Sequence, residues 1–131
     1  FVAWVLSQLK NNVTGIKLTS GEQKRDFVYV SDVVSAFLIV LDKNKDLPRF
    51  SEFEVGTGQS ISVREFIERM QYFYQKSDSK SQTKLLFGAI PYRKGETMSV
   101  SVDISDLKAT GARYLISLSS NGWCFDTFVK T

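Results

Sequence analysis

The sequence predicts an α/β fold with short strands and several helices, for three reasons. Apolar residues recur at helical spacing over residues 1–11, a helix-capping signature starts at Ser62, and short β-branched runs lie between them. Hydrophobic residues make up 43% of the 131 positions, which is enough to pack a core. We therefore expect residues 1–131 to fold as a single domain.

The composition excludes several classes of active site. The chain has no histidine and one cysteine, Cys124, so it cannot form a Cys/His zinc site, a Ser-His-Asp triad or an internal disulfide. Cys124 is most simply a small core residue, and we expect no metal site.

Charge and hydropathy limit the possible partners. The net charge of +3 and the pI near 9.0 permit an anionic ligand, but the basic residues form no concentrated stripe of the kind that binds nucleic acid. No apolar run approaches the roughly 18 residues that span a bilayer, and no secretion signal opens the chain. We expect a cytoplasmic protein that binds neither nucleic acid nor membrane.

The N-terminal region predicts one helix and then two short strands around a loop. Four apolar residues share one face of a helix over residues 1–11: Val2, Val5, Leu6 and Leu9. Apolar and polar residues alternate over residues 16–19, and residues 26–30 are rich in aromatic and β-branched side chains, so both segments predict strands. The loop between these strands holds Arg25. Because the chain opens on Phe1 without a capping residue, we expect it to begin inside a longer protein.

A long apolar helix is predicted next. Residues 33–41 are apolar nearly all round, which indicates a helix buried on most sides, and Ser31 or Asp32 can cap it. A charged loop follows, and the alternating residues 51–55, S-E-F-E-V, predict a further strand.

The most clearly marked helix begins at Ser62. In S-V-R-E the Ser62 hydroxyl can accept from the backbone N–H of Glu65 while that carboxylate reaches back, which is a capping box. Five apolar residues then share one face: Val63, Phe66, Ile67, Met70 and Tyr74. A polar surface loop over residues 75–84 precedes an irregular extended arm over residues 84–98.

Two shorter helices are predicted toward the C-terminus. Asp103 can cap a helix that ends at Gly111. A last helix begins near Ser117 or Ser119 and carries four apolar residues: Leu118, Phe125, Phe128 and Val129.

Two patterns resemble catalytic motifs but have simpler interpretations. The stretch G-T-G-Q-S-I, residues 56–61, has Ile61 where a dinucleotide fingerprint has its third glycine, so we interpret it as a turn. Tyr72 and Lys76 have the Y-x-x-x-K spacing of short-chain dehydrogenases, but they end a helix before a polar loop and favour a solvated face. Since the carboxylates form no clear acid/base pair, we predict no catalytic residue.

Two arginines have the chemistry of a phosphate site. The planar guanidinium groups of Arg25 and Arg93 can each bind phosphate oxygens bidentately, and together they could hold a diphosphate. The alternative is a surface charge or an ion pair, with Asp26 for Arg25 and with Glu96 for Arg93. Residue chemistry alone favours this alternative.

Four stretches in order resemble the C-terminal part of the NAD-dependent epimerase/dehydratase family. They are Q-K-R-D-F-V-Y-V-S-D-V-V-S-A-F from residue 23, F-E-V-G-T-G-Q-S-I-S-V-R-E-F from residue 53, G-A-I-P-Y-R-K-G-E-T-M from residue 88 and D-I-S-D-L-K-A-T-G from residue 103. The family comprises extended short-chain dehydrogenases that act on nucleotide-diphosphate sugars. Within it, residues 84–98 most resemble bacterial deoxysugar reductases and synthases of the CDP- or dTDP-sugar kind.

The resemblance implies a substrate site. Arg25 and Arg93 would contact the diphosphate, and Glu96 would lie near the ribose. One strand would border the nucleotide base: Ile16, Lys17 and Leu18. Asp26 would orient its loop or pair locally rather than act as a catalytic acid.

The resemblance also implies what this chain lacks. The family's glycine-rich cofactor loop and its catalytic tyrosine lie upstream of the R-D-F-V-Y-V element, and only about twenty residues precede that element here. Tyr72 follows it and cannot be the family tyrosine. We therefore expect a nucleotide-sugar-binding fragment without the Rossmann core, with NAD or NADP bound in the parent enzyme only.

Two consequences follow for the chain by itself. As a fragment it should be inactive and should self-associate through surface that the absent domain covers in the parent. The alternative is a stand-alone nucleotide- or phosphate-binding module, or a protein-interaction module, without catalysis.

Overall fold

The computed structural model describes residues 1–77 and 81–111, which divide into two compact units. The first unit comprises Phe1–Lys24 and the described part of Ile61–Ser99. The second comprises Arg25–Ser60 and residues 100–111. The predicted last helix near Ser117 or Ser119 and the predicted core position of Cys124 lie outside the described residues.

Helices and short strands both occur, which confirms the predicted α/β fold. The described residues form four helices: α1 (Val2–Lys10), α2 (Val30–Asp42), α3 (Val63–Ser77) and α4 (Ser105–Ala109). They also form four strands: β1 (Gly15–Lys17), β2 (Lys24–Arg25), β3 (Ile61–Ser62) and β4 (Lys84–Leu86). Strands β1 and β4 pair in parallel with Ile16 opposite Leu85, and β2 pairs with β3.

The core of the first unit forms where α1 packs against α3. Of the face predicted for α1, Val5, Leu6 and Leu9 are buried. All five residues predicted for the inner face of α3 are buried as well: Val63, Phe66, Ile67, Met70 and Tyr74. The helical periodicity of both segments therefore predicted this core correctly.

The start of α3 is fixed by Ser62, as predicted. The Ser62 hydroxyl accepts the backbone N–H of Glu65 at 3.1 Å. The Glu65 carboxylate does not complete the capping box; it pairs with Arg69 one turn further along the helix. Only half of the box is therefore formed.

We expect Ser62→Ala to lower the free energy of unfolding by about 1 kcal/mol, because the Glu65 N–H loses its acceptor. Urea denaturation followed by circular dichroism measures the change. Ser77→Ala at the other end of α3 is the matched control, since the Ser77 hydroxyl only donates to the Phe73 carbonyl on an exposed surface. Equal losses at both positions would show that Ser62 is not a cap.

Helix α2 differs from its prediction in two ways. It begins at Val30 with Tyr29 at the N-cap position and no side-chain cap, so Ser31 and Asp32 lie inside the first turn. The expected burial on most sides is also wrong: Ala36 is the buried residue of this helix. Five apolar side chains of α2 are more than half exposed: Val30, Val34, Phe37, Leu38 and Leu41. Among the described residues, α2 is covered on one side only.

Two of the predicted strands are wrong. Residues 26–29 are irregular, and the strand lies just before them as β2. Residues 51–55 also form no strand, because a strand requires a neighbour to share its backbone hydrogen bonds and no described strand pairs with them. Phe53 and Val55 still pack against the cluster formed by Ala36 and Leu107. Half-buried and exposed side chains therefore still alternate along residues 52–55, although these residues share no β-sheet hydrogen bonds with a described strand.

The N-cap residue of the short helix α4 is Ile104 rather than the predicted Asp103, while the helix ends before Gly111 as predicted. The Asp103 carboxylate accepts the N–H of Ser105 at 2.9 Å, and hydrogen bonds from the side chain and backbone of Ser105 hold the pKa of Asp103 below its ordinary value. Gly111 follows the helix with φ of 82°, the left-handed conformation common after helix ends. The Asp103 contact is therefore present at neutral pH and is lost only as pH falls through the lowered pKa.

Candidate functional site

Backbone hydrogen bonds join Leu18, just after β1, to residues 86 and 90 of the arm over residues 84–98. The Leu18 N–H donates to the Leu86 carbonyl at 3.0 Å, and the Leu18 carbonyl accepts from the Ile90 N–H at 3.2 Å. Arg93 lies three residues beyond Ile90. The first unit therefore brings together the strand predicted to border the base and the arm that carries Arg93.

The three strand residues differ in what they can offer a ligand. Ile16 and Leu18 are buried, with 2% and 5% of their surface exposed, whereas Lys17 is exposed. The backbone N–H and carbonyl of Leu18 are already paired. A ligand beside this strand would meet the Lys17 side chain rather than the two apolar ones.

A second set of contacts ties the loop after β1 to α3 and to the arm. The Arg64 N–H donates to the Gly21 carbonyl at 2.9 Å, and Arg64 Nε donates to the Ser20 carbonyl at 3.0 Å. The Arg64 guanidinium also lies 4.1 Å from the centre of the Phe87 ring. Arg64 thus holds three segments of the first unit together.

The Tyr92 hydroxyl completes this attachment by accepting the Glu22 N–H at 2.8 Å. Neither Tyr92 nor Arg64 was singled out by sequence. Their partners lie 70 and 44 residues away along the chain, respectively, so no local pattern marks them.

Arg93 and Glu96 form an ion pair across a tight turn. Glu96 Oε2 lies 3.2 Å from Nη2 and 3.3 Å from Nε of Arg93. The Glu96 N–H donates to the Arg93 carbonyl at 3.1 Å, and Gly95 has the positive φ of 78° that such a turn requires. The Arg93 side chain is 89% exposed and that of Glu96 only 12%. The predicted ion-pair alternative is therefore present, and it leaves most of the guanidinium open to solvent.

Asp26 organises a loop of the second unit. Its carboxylate accepts the Thr57 N–H at 2.9 Å from each oxygen, the Thr57 hydroxyl at 2.6 Å and the Gly58 N–H at 2.8 Å. A Cβ on Gly56 would lie 2.7 Å from Asp26 Oδ2, so this position requires glycine. Asp26 therefore orients the loop of Thr57 and Gly58, rather than its own loop as predicted. Its neighbour Arg25 is half-buried in the same unit.

The two patterns that resemble catalytic motifs, residues 56–61 and the pair Tyr72 and Lys76, have the simpler structures that were predicted. Residues 56–60 form an irregular loop before β3. Tyr72 is 55% exposed, and Lys76 Nζ lies 4.6 Å from the centre of its ring, a pairing on a solvated face.

The described residues show no feature of two other classes of site. Within residues 1–77 and 81–111, no helix combines the length and apolarity needed to cross a membrane. In the same ranges, no group of three or more His, Cys, Asp or Glu side chains could hold a metal ion.

The chain is similar in sequence to curated enzymes of sugar-nucleotide metabolism. It is 35% identical over 111 residues to CDP-abequose synthase of Salmonella typhimurium, a match that covers 85% of this chain and 36% of that protein. It is 32% identical over 73 residues to dTDP-4-dehydro-6-deoxyglucose reductase of Escherichia coli, covering 54% of this chain and 22% of the reductase. The chain thus spans about a third or less of the length of these relatives.

Solved structures share the fold. The UDP-N-acetylglucosamine 4-epimerase of Methanobrevibacter ruminantium, in complex with UDP-N-acetylmuramic acid, matches with a TM-score of 0.64 at 22% identity, over 87% of this chain and 33% of that one. The UDP-glucose 4-epimerase of Thermus thermophilus, in complex with NAD, matches with a TM-score of 0.61 at 22% identity, over 87% and 34%.

The first part of the chain, which includes α1, β1, β2 and α2, also matches the sequence model of a protein family. Residues 1–56, with the R-D-F-V-Y-V element among them, match the NAD dependent epimerase/dehydratase family.

Proposed function

We propose that this chain is the portion of an NAD(P)-dependent nucleotide-sugar epimerase, dehydratase or reductase that binds the nucleotide diphosphate of the substrate. The main supporting observation is the attachment of the Arg93 arm to β1, because it joins two predicted substrate-binding segments in one unit. The 35% identity to a CDP-abequose synthase favours a CDP- or dTDP-deoxysugar as the substrate class.

The proposal assigns a role to each predicted residue. Arg25 and Arg93 bind diphosphate oxygens, since guanidinium groups form short, charge-assisted hydrogen bonds with phosphate. Glu96 lies near the ribose. The strand Ile16, Lys17 and Leu18 borders the base, with Lys17 supplying the exposed side chain. Binding of the nucleotide then positions the sugar for reaction elsewhere in the whole enzyme.

We propose that the described residues do not hold the dinucleotide cofactor. The one glycine-containing loop that resembles a cofactor fingerprint is residues 56–61, and the N–H groups of Thr57 and Gly58 already donate to Asp26. A loop whose donors are occupied cannot surround a pyrophosphate with backbone N–H groups. We propose that NAD or NADP binds to the remainder of a longer enzyme, where it supplies hydride transfer.

Two further predictions from sequence belong to this proposal. The exposed apolar side of α2 supports the expected self-association of the chain when it is alone. The proposed biosynthetic role is consistent with a location in the cytoplasm.

Isothermal titration of CDP, UDP and dTDP tests the site. We expect Arg25→Ala and Arg93→Ala each to weaken binding of the preferred nucleotide about tenfold or more, because each removes charge-assisted hydrogen bonds to the diphosphate. Lys94→Ala is the matched control: it removes the same charge from the same turn and should change affinity about twofold at most.

Two outcomes would contradict the proposal. Equal affinities of the wild type and both arginine variants would exclude a diphosphate site at these residues. NAD-dependent oxidoreduction by the 131-residue chain alone would show that it is more than a substrate-binding portion. If the nucleotide binds through these arginines but the chain is not part of a longer enzyme, the result would instead support the alternative, a stand-alone nucleotide-binding module.

A further inference from the structure

The ion pair between Arg93 and Glu96 uses one particular edge of the guanidinium. Glu96 Oε2 contacts Nε and Nη2, which share the side-on edge of the group. The end-on edge, formed by Nη1 and the second N–H of Nη2, points away from that carboxylate. An arginine has five N–H donors in a rigid plane, so one edge can be held by the protein while the other binds phosphate.

The surroundings of Arg93 make such a tether useful. With 89% of the side chain exposed, few packing contacts restrict a chain of four rotatable bonds. Glu96, by contrast, is 12% exposed, and its backbone N–H is bonded within the turn. An exposed donor on a chain with four rotatable bonds is therefore attached to a mostly buried acceptor.

We propose that Glu96 is a positioning residue, which acts on the substrate diphosphate through Arg93 by holding the guanidinium with its end-on edge toward the phosphate. This inference rests on the proposed function and goes beyond nearness to the ribose. A preorganised arginine loses less side-chain freedom when the ligand binds, so the tether strengthens binding although Glu96 itself touches no phosphate.

Two opposing effects decide whether a Glu96 substitution raises or lowers the affinity for the diphosphate. Removing the carboxylate frees Arg93, which weakens phosphate binding, but it also removes a negative charge near the phosphate, which strengthens binding. The second effect is limited because the Arg93 guanidinium, where the phosphate would bind, is open to solvent, and salt screens it with a Debye length under about 8 Å above 0.15 M. At about 0.3 M salt the loss of positioning should dominate.

The test measures affinities for pyrophosphate, which has no ribose, and for CDP, at about 0.3 M salt. We expect Glu96→Ala to weaken both affinities about fivefold, as for the loss of a well-placed ion pair whose arginine is exposed. Glu96→Gln keeps an acceptor oxygen for Arg93 and should weaken both affinities less than Glu96→Ala. In the Arg93→Ala background, Glu96→Ala should cause no further loss. Glu68→Ala, which removes the same charge from the surface of α3, is the matched control and should leave both affinities unchanged.

The results separate this inference from the proposed function. If Arg93→Ala changes neither affinity, the proposed diphosphate site is wrong. If Arg93→Ala weakens both affinities but Glu96→Ala weakens CDP alone, Glu96 contacts the ribose and the positioning role is overturned. The positioning role is also overturned if Glu96→Ala still weakens binding in the Arg93→Ala background, or if Glu96→Ala does not weaken binding at all.

A second readout needs no ligand. In the wild-type protein, the ¹⁵N resonance of Arg93 Nε–H should be resolved and protected from exchange with solvent, because Nε donates to Glu96. Glu96→Ala should remove that protection, and Glu96→Gln should keep part of it. Identical Nε–H signals in the wild type and Glu96→Ala would contradict the tether even if the overall fold were unchanged.

Discussion

Replacing Asp26 with alanine should lower the free energy of unfolding by about 3 kcal/mol, because one carboxylate serves three donors of the same loop. The N–H groups of Thr57 and Gly58 and the Thr57 hydroxyl all donate to it, at 2.6 to 2.9 Å. Hydrogen bonds to a charged group contribute more than neutral ones, and water can replace only part of them at this half-buried position. Urea denaturation measures the loss.

Amide hydrogen exchange localises the Asp26 effect. Exchange at Thr57 and Gly58 should accelerate in Asp26→Ala well beyond the change at the core amides of α3. Asp26→Asn, whose amide retains one acceptor oxygen, should lose about 2 kcal/mol. Asp46→Ala, in the loop after α2, is the control and should stay within about 0.5 kcal/mol of the wild type. Unchanged exchange at Thr57 and Gly58 would mean that Asp26 does not hold the loop.

Replacing Gly21 with alanine should cost about 3 kcal/mol, because this glycine has both an unusual backbone conformation and no room for a side chain. Its φ is 74°, which costs a residue with a Cβ about 1 kcal/mol. The added Cβ would lie 2.9 Å from both the Cβ and the backbone N of Arg64. Since that neighbour is the rigid start of α3, the loop must move and weaken the hydrogen bond from Arg64 to the Gly21 carbonyl.

Gly88 provides the matched control for Gly21. It has nearly the same φ, 77°, but an added Cβ would meet no atom within 4 Å. Gly88→Ala should therefore cost only the conformational part, about 1 kcal/mol. Thermal or urea unfolding of both variants separates the two effects, and equal losses would show that contact with Arg64 is unimportant.

The candidate site was partly predictable from sequence. Arg93 and Glu96 were assigned to the site through the family resemblance, whereas their ion pair was the alternative that residue chemistry favoured, since their spacing is local. Asp26 was expected to orient its own loop or to pair locally, but it holds the loop of Thr57, which lies 31 residues away and could not be identified from a local pattern. The contributions of Arg64 and Tyr92 were not foreseen, as each acts on a backbone group far along the chain.

Sequence alone determined the elements whose signals are local. The buried faces of α1 and α3 and the Ser62 cap all follow from spacing within a few residues, where periodicity and capping chemistry act directly. Only the tertiary structure decided whether residues 51–55 form a strand, which of the apolar sides of α2 is covered, and how β1 meets the Arg93 arm. A strand depends on a partner and burial depends on a covering surface, so neither can be determined from a segment by itself.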